Sequence, residues 1–250
     1  DAVSLCVLAM PEAVYLLYAI NKIGAIANML VMNATEAEIH EKLAVTESKV
    51  VITVDLALEK IVQASRETSV KHIIGVSLAE SMPCVIGTLY KWKSKIKQEN
   101  CILFSEFLKA GQGKKIDCQE IKADAPAVIA YTGGTTGKAK GVLLSNRAAN
   151  TIAFQYKYAD KVLDFQNGES FLDTIPPFLA YGLFLGVHMV LCVGLENILC
   201  PDPTAERFSQ QFLKYKPNHL SGGALHIEAL MKNKKVQRMN LSFAKTIAYG

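Results

Sequence analysis

Net charge is scarce in this 250-residue chain: 27 Lys and Arg stand against 23 Asp and Glu, a formal balance of +4. No dense basic block interrupts it, which argues against a nucleic-acid partner. Cysteine is present without a pattern. Cys6, Cys84, Cys101, Cys118, Cys192 and Cys200 make no C-x-x-C pair and no ligand cluster, so they read as reduced, structural thiols of a cytoplasmic protein. The five histidines are equally dispersed, and the nearest pair, His219 and His226, fits no usual zinc spacing. An uninterrupted membrane span is missing too. Phe178 to Leu195 is long and apolar, but Gly182, Gly186 and Gly194 interrupt it, His188 lies inside it, and Pro176-Pro177 and Glu196 bracket it. A buried helix turning into a strand explains it better, with His188 as a satisfied core residue. No initiator Met and no charged leader precede the run from Val3 to Met10, and the chain stops at Gly250 just after the β-like run Thr246 to Tyr249; both ends read as cuts within a domain.

What is present is a regular alternation of β and α patterns. Half of the residues are hydrophobic, enough to bury a substantial core. Val3 to Ala9 is an apolar run, Pro11 suits the first turn of a helix with apolar Val14, Leu17, Tyr18 and Ile20, and Ala25 to Val31 returns as a strand. Thr35 and Glu38 form a capping box for a helix to about Val45. Val50 to Val54 and His72 to Val76 read as strands around a helix from Leu56 to Arg66. This order predicts a parallel sheet with crossover helices. From Ser77 to Ala125 the period fades into a connecting region with one helix at Leu103 to Ala110. Lys91, Lys93, Lys95 and Lys97 alternate there with Trp92 and Ile96 as a solvated face with one anchored ring. Asp124-Ala125-Pro126 marks a boundary. Beyond it come strands at Ala127 to Tyr131, Phe171 to Ile175, Asn197 to Cys200 and Asn218 to Ser221. Helices follow Asn146, Tyr181, Thr204 and Leu225.

The most informative stretch is Tyr131 to Val142, Y-T-G-G-T-T-G-K-A-K-G-V. Gly133, Gly134, Gly137 and Gly141 let the backbone come close to a ligand. Thr132, Thr135 and Thr136 add hydroxyls, and Lys138 and Lys140 add charge. Inward N–H groups, hydroxyls and ammonium groups together suit a polyanion. The pattern is not Walker A, G-x-x-x-x-G-K-S/T, because Thr132 and Ala139 stand at its ends. Nor does G-x-G-x-x-G fit, because Gly133 and Gly134 are adjacent. Both of those motifs open into a helix, whereas here a β-like run follows at Val142-Leu143-Leu144, and a helix starts only after Ser145 or Asn146 as N-cap.

The stretch resembles the signature loop of the adenylate-forming superfamily, which includes acyl-CoA synthetases, the adenylation domains of peptide synthetases, and luciferases. The family form is Y/F-T-S/G-G-T-T-G-x-P-K-G-V. Gly133 fills the small-residue slot, and Ala139 replaces Pro, which loosens the loop. The likeness continues through Ala19 to Ala25, Thr35 to Leu43 and Ser48 to Ile52. Pro177 to Gly182 resembles the family's P-x-F-H-x-x-G segment, with Leu179 in place of His. Asn240 to Ile247 is similar to its D-L-S-S-L stretch. Gly222-Gly223-Ala224 stand where relatives carry a V-P pair.

The resemblance implies an α/β fold of parallel-rich sheets flanked by helices, arranged as two packed α/β subdomains of the large N-terminal domain of adenylate-forming enzymes, here 1–124 and 125–250. It implies an ATP-dependent acid:CoA ligase, with ATP, Mg²⁺ and coenzyme A as cofactors and a small carboxylic acid as substrate. Thr132 would help position Mg²⁺ and the phosphates. Gly133, Gly134, Thr135, Thr136 and Gly137 would wrap the β- and γ-phosphates. Lys138 and Lys140 would offset their charge, with Lys140 the catalytic lysine. Phe178, Leu179, Tyr181 and Gly182 would line the acid pocket, and Leu179 favours an apolar acid. The family's later motifs would fall beyond Gly250, so this chain would hold part of a site. A carrier-protein adenylation domain and a non-catalytic nucleotide-binding homologue stay open as alternatives.

Overall fold

Apolar, β-branched runs at regular intervals become strands, and the stretches between them cross over as helices, the arrangement that buries both faces of a parallel sheet. The computed structural model describes residues 1–82, 84–93, 101–116, 120–133, 139–158 and 164–249, with the backbone only at 84 and 91–93. Gly134, Thr135, Thr136, Gly137 and Lys138 of the signature loop therefore lie outside the described residues. So do Cys118 and, of the expected charged face, Lys95, Ile96 and Lys97; only the backbone of its Lys91, Trp92 and Lys93 is described.

The chain divides into two compact units, Asp1–Val7 with Pro11–Ser145, and Leu8–Met10 with Asn146–Gly250. In the first unit the order is β1 (Ala2–Cys6), α1 (Pro11–Lys22), β2 (Ile26–Met29), α2 (Glu36–Thr46), β3 (Val50–Val54), α3 (Leu58–Ala64), β4 (His72–Val76), α4 (Cys84–Lys93), β5 (Ile102–Leu103), α5 (Phe104–Gly111), β6 (Pro126–Thr132) and β7 (Lys140–Ser145). Among the described residues these strands form one sheet in the order β5-β4-β3-β1-β2-β6-β7. All of its pairs are parallel except β6 with β7, an antiparallel hairpin. The unit therefore ends after the hairpin, twenty residues beyond the boundary read at 124–126, because β6 pairs with β2 through Ala27–Val128 and Asn28–Ile129.

Local signals explain most of these elements. Thr35 caps α2 in a reciprocal box: Glu38 N–H donates to Thr35 Oγ1 at 3.3 Å, and Thr35 N–H donates to Glu38 Oε2 at 2.7 Å. One core cluster joins Leu30, Ile39, Leu43, Val51 and Ile61 between sheet and helices. Two details depart from the sequence reading. α1 buries Ala13, Leu16, Leu17 and Ile20 while Tyr18 is exposed. α4 forms inside the stretch expected to be a connector. It carries Val85, Ile86 and Leu89 on exposed positions.

The second unit runs α6 (Asn146–Tyr158), β8 (Ser170–Asp173), a π-helix (Gly182–Met189) continuing into α7 (Val190–Cys192), β9 (Glu196–Leu199), α8 (Ala205–Tyr215), β10 (His219–Gly222), α9 (Ala224–Lys232), α10 (Lys234–Gln237) and β11 (Thr246–Tyr249). Its strands pair in parallel in the order β11-β10-β8-β9. Leu172 and Leu220 pack with Phe208, Phe212 and Leu230 on one side. Phe171 packs with Ala153, Met189 and Val190 in a second cluster. At the start of β10 the fully buried His219 meets Glu169 Oε2 at 2.8 Å, and Glu169 also pairs with Lys245 at 2.5 Å, which compensates a carboxylate near the core.

Candidate functional site

The loop expected to hold phosphate leaves and re-enters the sheet at one ladder pair. Thr132 ends β6, Lys140 begins β7, and they are direct partners in the antiparallel register. Partners in such a ladder put their side chains on the same face, so the Thr132 hydroxyl and the Lys140 ammonium stand side by side at the loop base, both exposed. The signature loop thus connects two paired strands, as the β-like flanks predicted. The adjacent pair, Tyr131 and Gly141, faces the other way because side chains alternate along a strand.

Tyr131 is held firmly. Its hydroxyl donates to Asn28 Oδ1 at 2.8 Å, and Lys42 Nζ lies 4.3 Å from its ring centroid. Burial pushes the phenol up to about 12, and burial also lowers the Lys42 ammonium from its ordinary value, with Glu38 opposing. Asn28 and Lys42 escaped the sequence reading. Asn28 was hidden within the run Ile26-Ala27-Asn28-Met29, where one polar residue in an apolar strand was the available signal.

The residues expected to line an acid pocket lie in the second unit. Phe178, Leu179 and Tyr181 follow Pro176-Pro177, with Leu179 and Tyr181 exposed, and the buried Gly182 opens the next helix. That helix differs from the expectation: it is a π-helix over Gly182–Met189, wider than an α-helix, a form that is often found at functional positions. It packs on β8. Asp173, at the carboxyl end of β8, accepts from Ser221 Oγ at 2.8 Å and from Ile175 N–H at 3.0 Å. Its carboxylate lies so close to the Gly186 backbone that a Cβ at 186 would collide with it. Asn197 Nδ2 donates to the Gly186 carbonyl at 2.7 Å. His188, expected as a satisfied core residue, is half-buried and meets Asn150 Oδ1 through Nε2 at 3.2 Å.

Burial raises the Asp173 carboxyl to about 7. The folded chain thus holds this proton more tightly than the unfolded chain does. The resulting stabilisation is full below the ordinary carboxylate pKa of about 4, is lost as pH rises toward 7, and is absent above it. Asp173→Asn removes the titration while keeping the shape and the Ser221 contact. It is expected to raise the melting temperature of the full-length protein near pH 8 and to leave it nearly unchanged near pH 4. Parallel pH profiles for the two proteins would contradict that assignment.

Among the described residues no group of three His, Cys, Asp or Glu is placed to hold a metal, and no helix is long and apolar enough to cross a membrane. Among the described residues, Cys6, Cys101, Cys192 and Cys200 form no disulfide.

The fold, a parallel sheet edged by the antiparallel pair β6–β7, is shared with solved adenylate-forming enzymes. It matches a solved anthranilate CoA ligase, AuaEII, in complex with anthranoyl-AMP at TM-score 0.83 and 19% identity, over 100% of this chain and 45% of that one. A long-chain-fatty-acid-CoA ligase from Archaeoglobus fulgidus matches at TM-score 0.79 and 19% identity, over 100% of this chain and 46% of that one. At those identities the likeness establishes the fold. The family model described as "AMP-binding enzyme" matches residues 1–250, and the chain belongs to that family. It is 27% identical to a long-chain-fatty-acid–CoA ligase of Bacillus subtilis over 100% of the chain and 46% of that relative. An acetyl-coenzyme A synthetase of Shewanella denitrificans is 26% identical over 94% of the chain and 36% of that protein. The chain thus spans less than half the length of these relatives.

Proposed function

We propose that the full-length protein containing this chain is an ATP-dependent carboxylic acid:CoA ligase. The observation that carries this reading is the Thr132–Lys140 pair at the base of the signature loop, in a chain matched throughout by the AMP-binding model. A carboxylate has no usable leaving group. Its oxygen attacks the α-phosphorus of ATP, the bond to the bridging oxygen breaks, and pyrophosphate departs from the acyl-adenylate. The thiol of coenzyme A then displaces AMP to give the thioester.

Negative charge grows on the pyrophosphate during the first step, so donors fixed in advance around it lower the barrier most. Lys140, exposed at the hairpin base, places a cation there. Gly133 and the residues after it, through Lys138, would offer backbone N–H groups, hydroxyls and a second ammonium. Mg²⁺ fits the Thr132 hydroxyl as one hard oxygen ligand beside the phosphates, where it would neutralise the leaving group. In the second unit, Phe178, Leu179, Tyr181 and Gly182 would contribute to the acid pocket. The apolar Leu179, together with similarity to fatty-acid ligases, supports an apolar acid. The names of the curated relatives support coenzyme A over a carrier protein as acceptor.

The test is a panel of carboxylic acids given to the full-length protein with MgATP and scored by pyrophosphate release, with and without coenzyme A. Acid-dependent release followed by thioester formation is expected. Release with transfer only to a phosphopantetheine carrier would favour the carrier-linked reading, and ATP binding without release would favour a non-catalytic homologue. The 250-residue chain by itself is expected to give no exchange.

A further inference from the structure

The geometry points to Asn28 and Lys42 as positioning residues for the phosphate loop, acting through Tyr131; the inference rests on the loop reading above. Tyr131 immediately precedes Thr132, the residue at which the chain leaves the sheet. Three groups hold it: the Asn28 carbonyl accepts its hydroxyl hydrogen at 2.8 Å, the Lys42 ammonium lies over its ring, and the Gly141 backbone closes its edge. The last contact is close enough that a Cβ at 141 would stand 3.1 Å from Tyr131 Cε1, so any side chain there would press the ring aside by a few tenths of an ångström.

Each anchor is anchored in turn. Asn28 is fully buried, and both hydrogens of its amide are used, donated to Ser4 Oγ at 2.7 Å and Thr46 Oγ1 at 3.3 Å. Ser4 Oγ donates to Ser48 Oγ at 2.8 Å, and Thr46 Oγ1 donates to the Lys42 carbonyl at 2.8 Å. Strands β1 and β2 and helix α2 therefore converge on one tyrosine through a polar network whose members are paired. Such a network specifies one arrangement, because removing any member leaves another buried and unpaired.

The hairpin has need of this. β7 is the outermost strand of the sheet, exposed from Lys140 to Leu143. On the α2 side a cavity of about 670 Å³ is lined by Lys42, Thr46, Ile129, Tyr131, Gly141 and Leu143, in place of a close-packed apolar layer. An edge hairpin over open space bends readily unless something pins it. The clamp on Tyr131 fixes the direction in which Thr132 and Gly133 depart, so these two residues lose less entropy when a phosphate binds.

The test uses the full-length protein with Lys42→Met, Tyr131→Phe and Lys42→Arg. Lys42→Met keeps the packing and removes the cation, Tyr131→Phe removes the bond to Asn28, and Lys42→Arg keeps a cation over the ring. In the exchange assay the first two are expected to raise KM for ATP by about five- to twentyfold while KM for the acid stays within twofold, and Lys42→Arg is expected to stay within twofold of wild type for both. A fall in melting temperature with KM for ATP unchanged in both Lys42→Met and Tyr131→Phe would reduce the network to a structural role and overturn the inference. Calorimetric binding of MgATP without acid separates this from the ligase reading. Weakened binding in the two variants, with no exchange by wild type, keeps the clamp and removes the ligase. Equal binding in all forms removes the clamp alone, and no binding by wild type removes both.

Discussion

Lys140→Ala in the full-length protein is expected to slow acid-dependent ATP–pyrophosphate exchange by about 5- to 150-fold, the scale of one lost charge-assisted contact in a transition state, about 1 to 3 kcal/mol. The lysine sits on the first residue of β7, directly across from Thr132, at the base of the loop proposed to hold the phosphates. The loss should fall on kcat and kcat/KM together if the contact strengthens as pyrophosphate departs, and on KM for ATP alone if it only binds the nucleotide. Its exposed position makes misfolding a poor explanation for a slow variant, and an unaltered melting temperature checks that. An exchange rate equal to wild type would remove Lys140 from the site.

Gly186→Ala should lower stability by about 2 to 5 kcal/mol, the sum of overpacking and a broken buried hydrogen-bond set. In a unit of this size that corresponds to roughly 8 to 20 °C of melting temperature. A methyl group at 186 would occupy the space of the Asp173 carboxylate. That carboxylate is buried and held by Ser221 and the Ile175 amide, so turning it aside leaves those donors without their acceptor. The same substitution in an Asp173→Ala background is expected to cost far less. Equal losses in the two backgrounds would place the obstacle in the π-helix backbone and not in the carboxylate.

These two sites differ in how openly the sequence announced them. Lys140 lies in a contiguous motif, and a motif that is local in sequence can be read without a fold. Asp173 stands between apolar Leu172 and the Thr174-Ile175-Pro176-Pro177 turn, with nothing nearby to mark it. Its partners Ser221 and Gly186 come from other elements and meet it only because β10 pairs with β8 and the π-helix folds back over the strand end. Asn28 is a similar case. Its amide serves Ser4, Thr46 and Tyr131, and those residues are distant in sequence.

The unit boundary shows the same division. A Pro preceded by Asp and Ala looked like a domain edge, and the stretch does begin a strand. β6 nevertheless adds to the first sheet through β2, because main-chain pairing is decided by which strand edge is free and not by local composition.

By itself the sequence determined most of the alternation of strands and helices, the Thr35 cap, the placement of the signature loop between two strands and the family, since each depends on side chains within a few residues of one another. Only the tertiary structure decided which unit carries the hairpin, that the apolar helix after Tyr181 is widened into a π-helix, and that Tyr131 is clamped by Asn28 and Lys42. The physical reason is that these features arise from burial and strand pairing between distant segments, and neither leaves a period in the sequence.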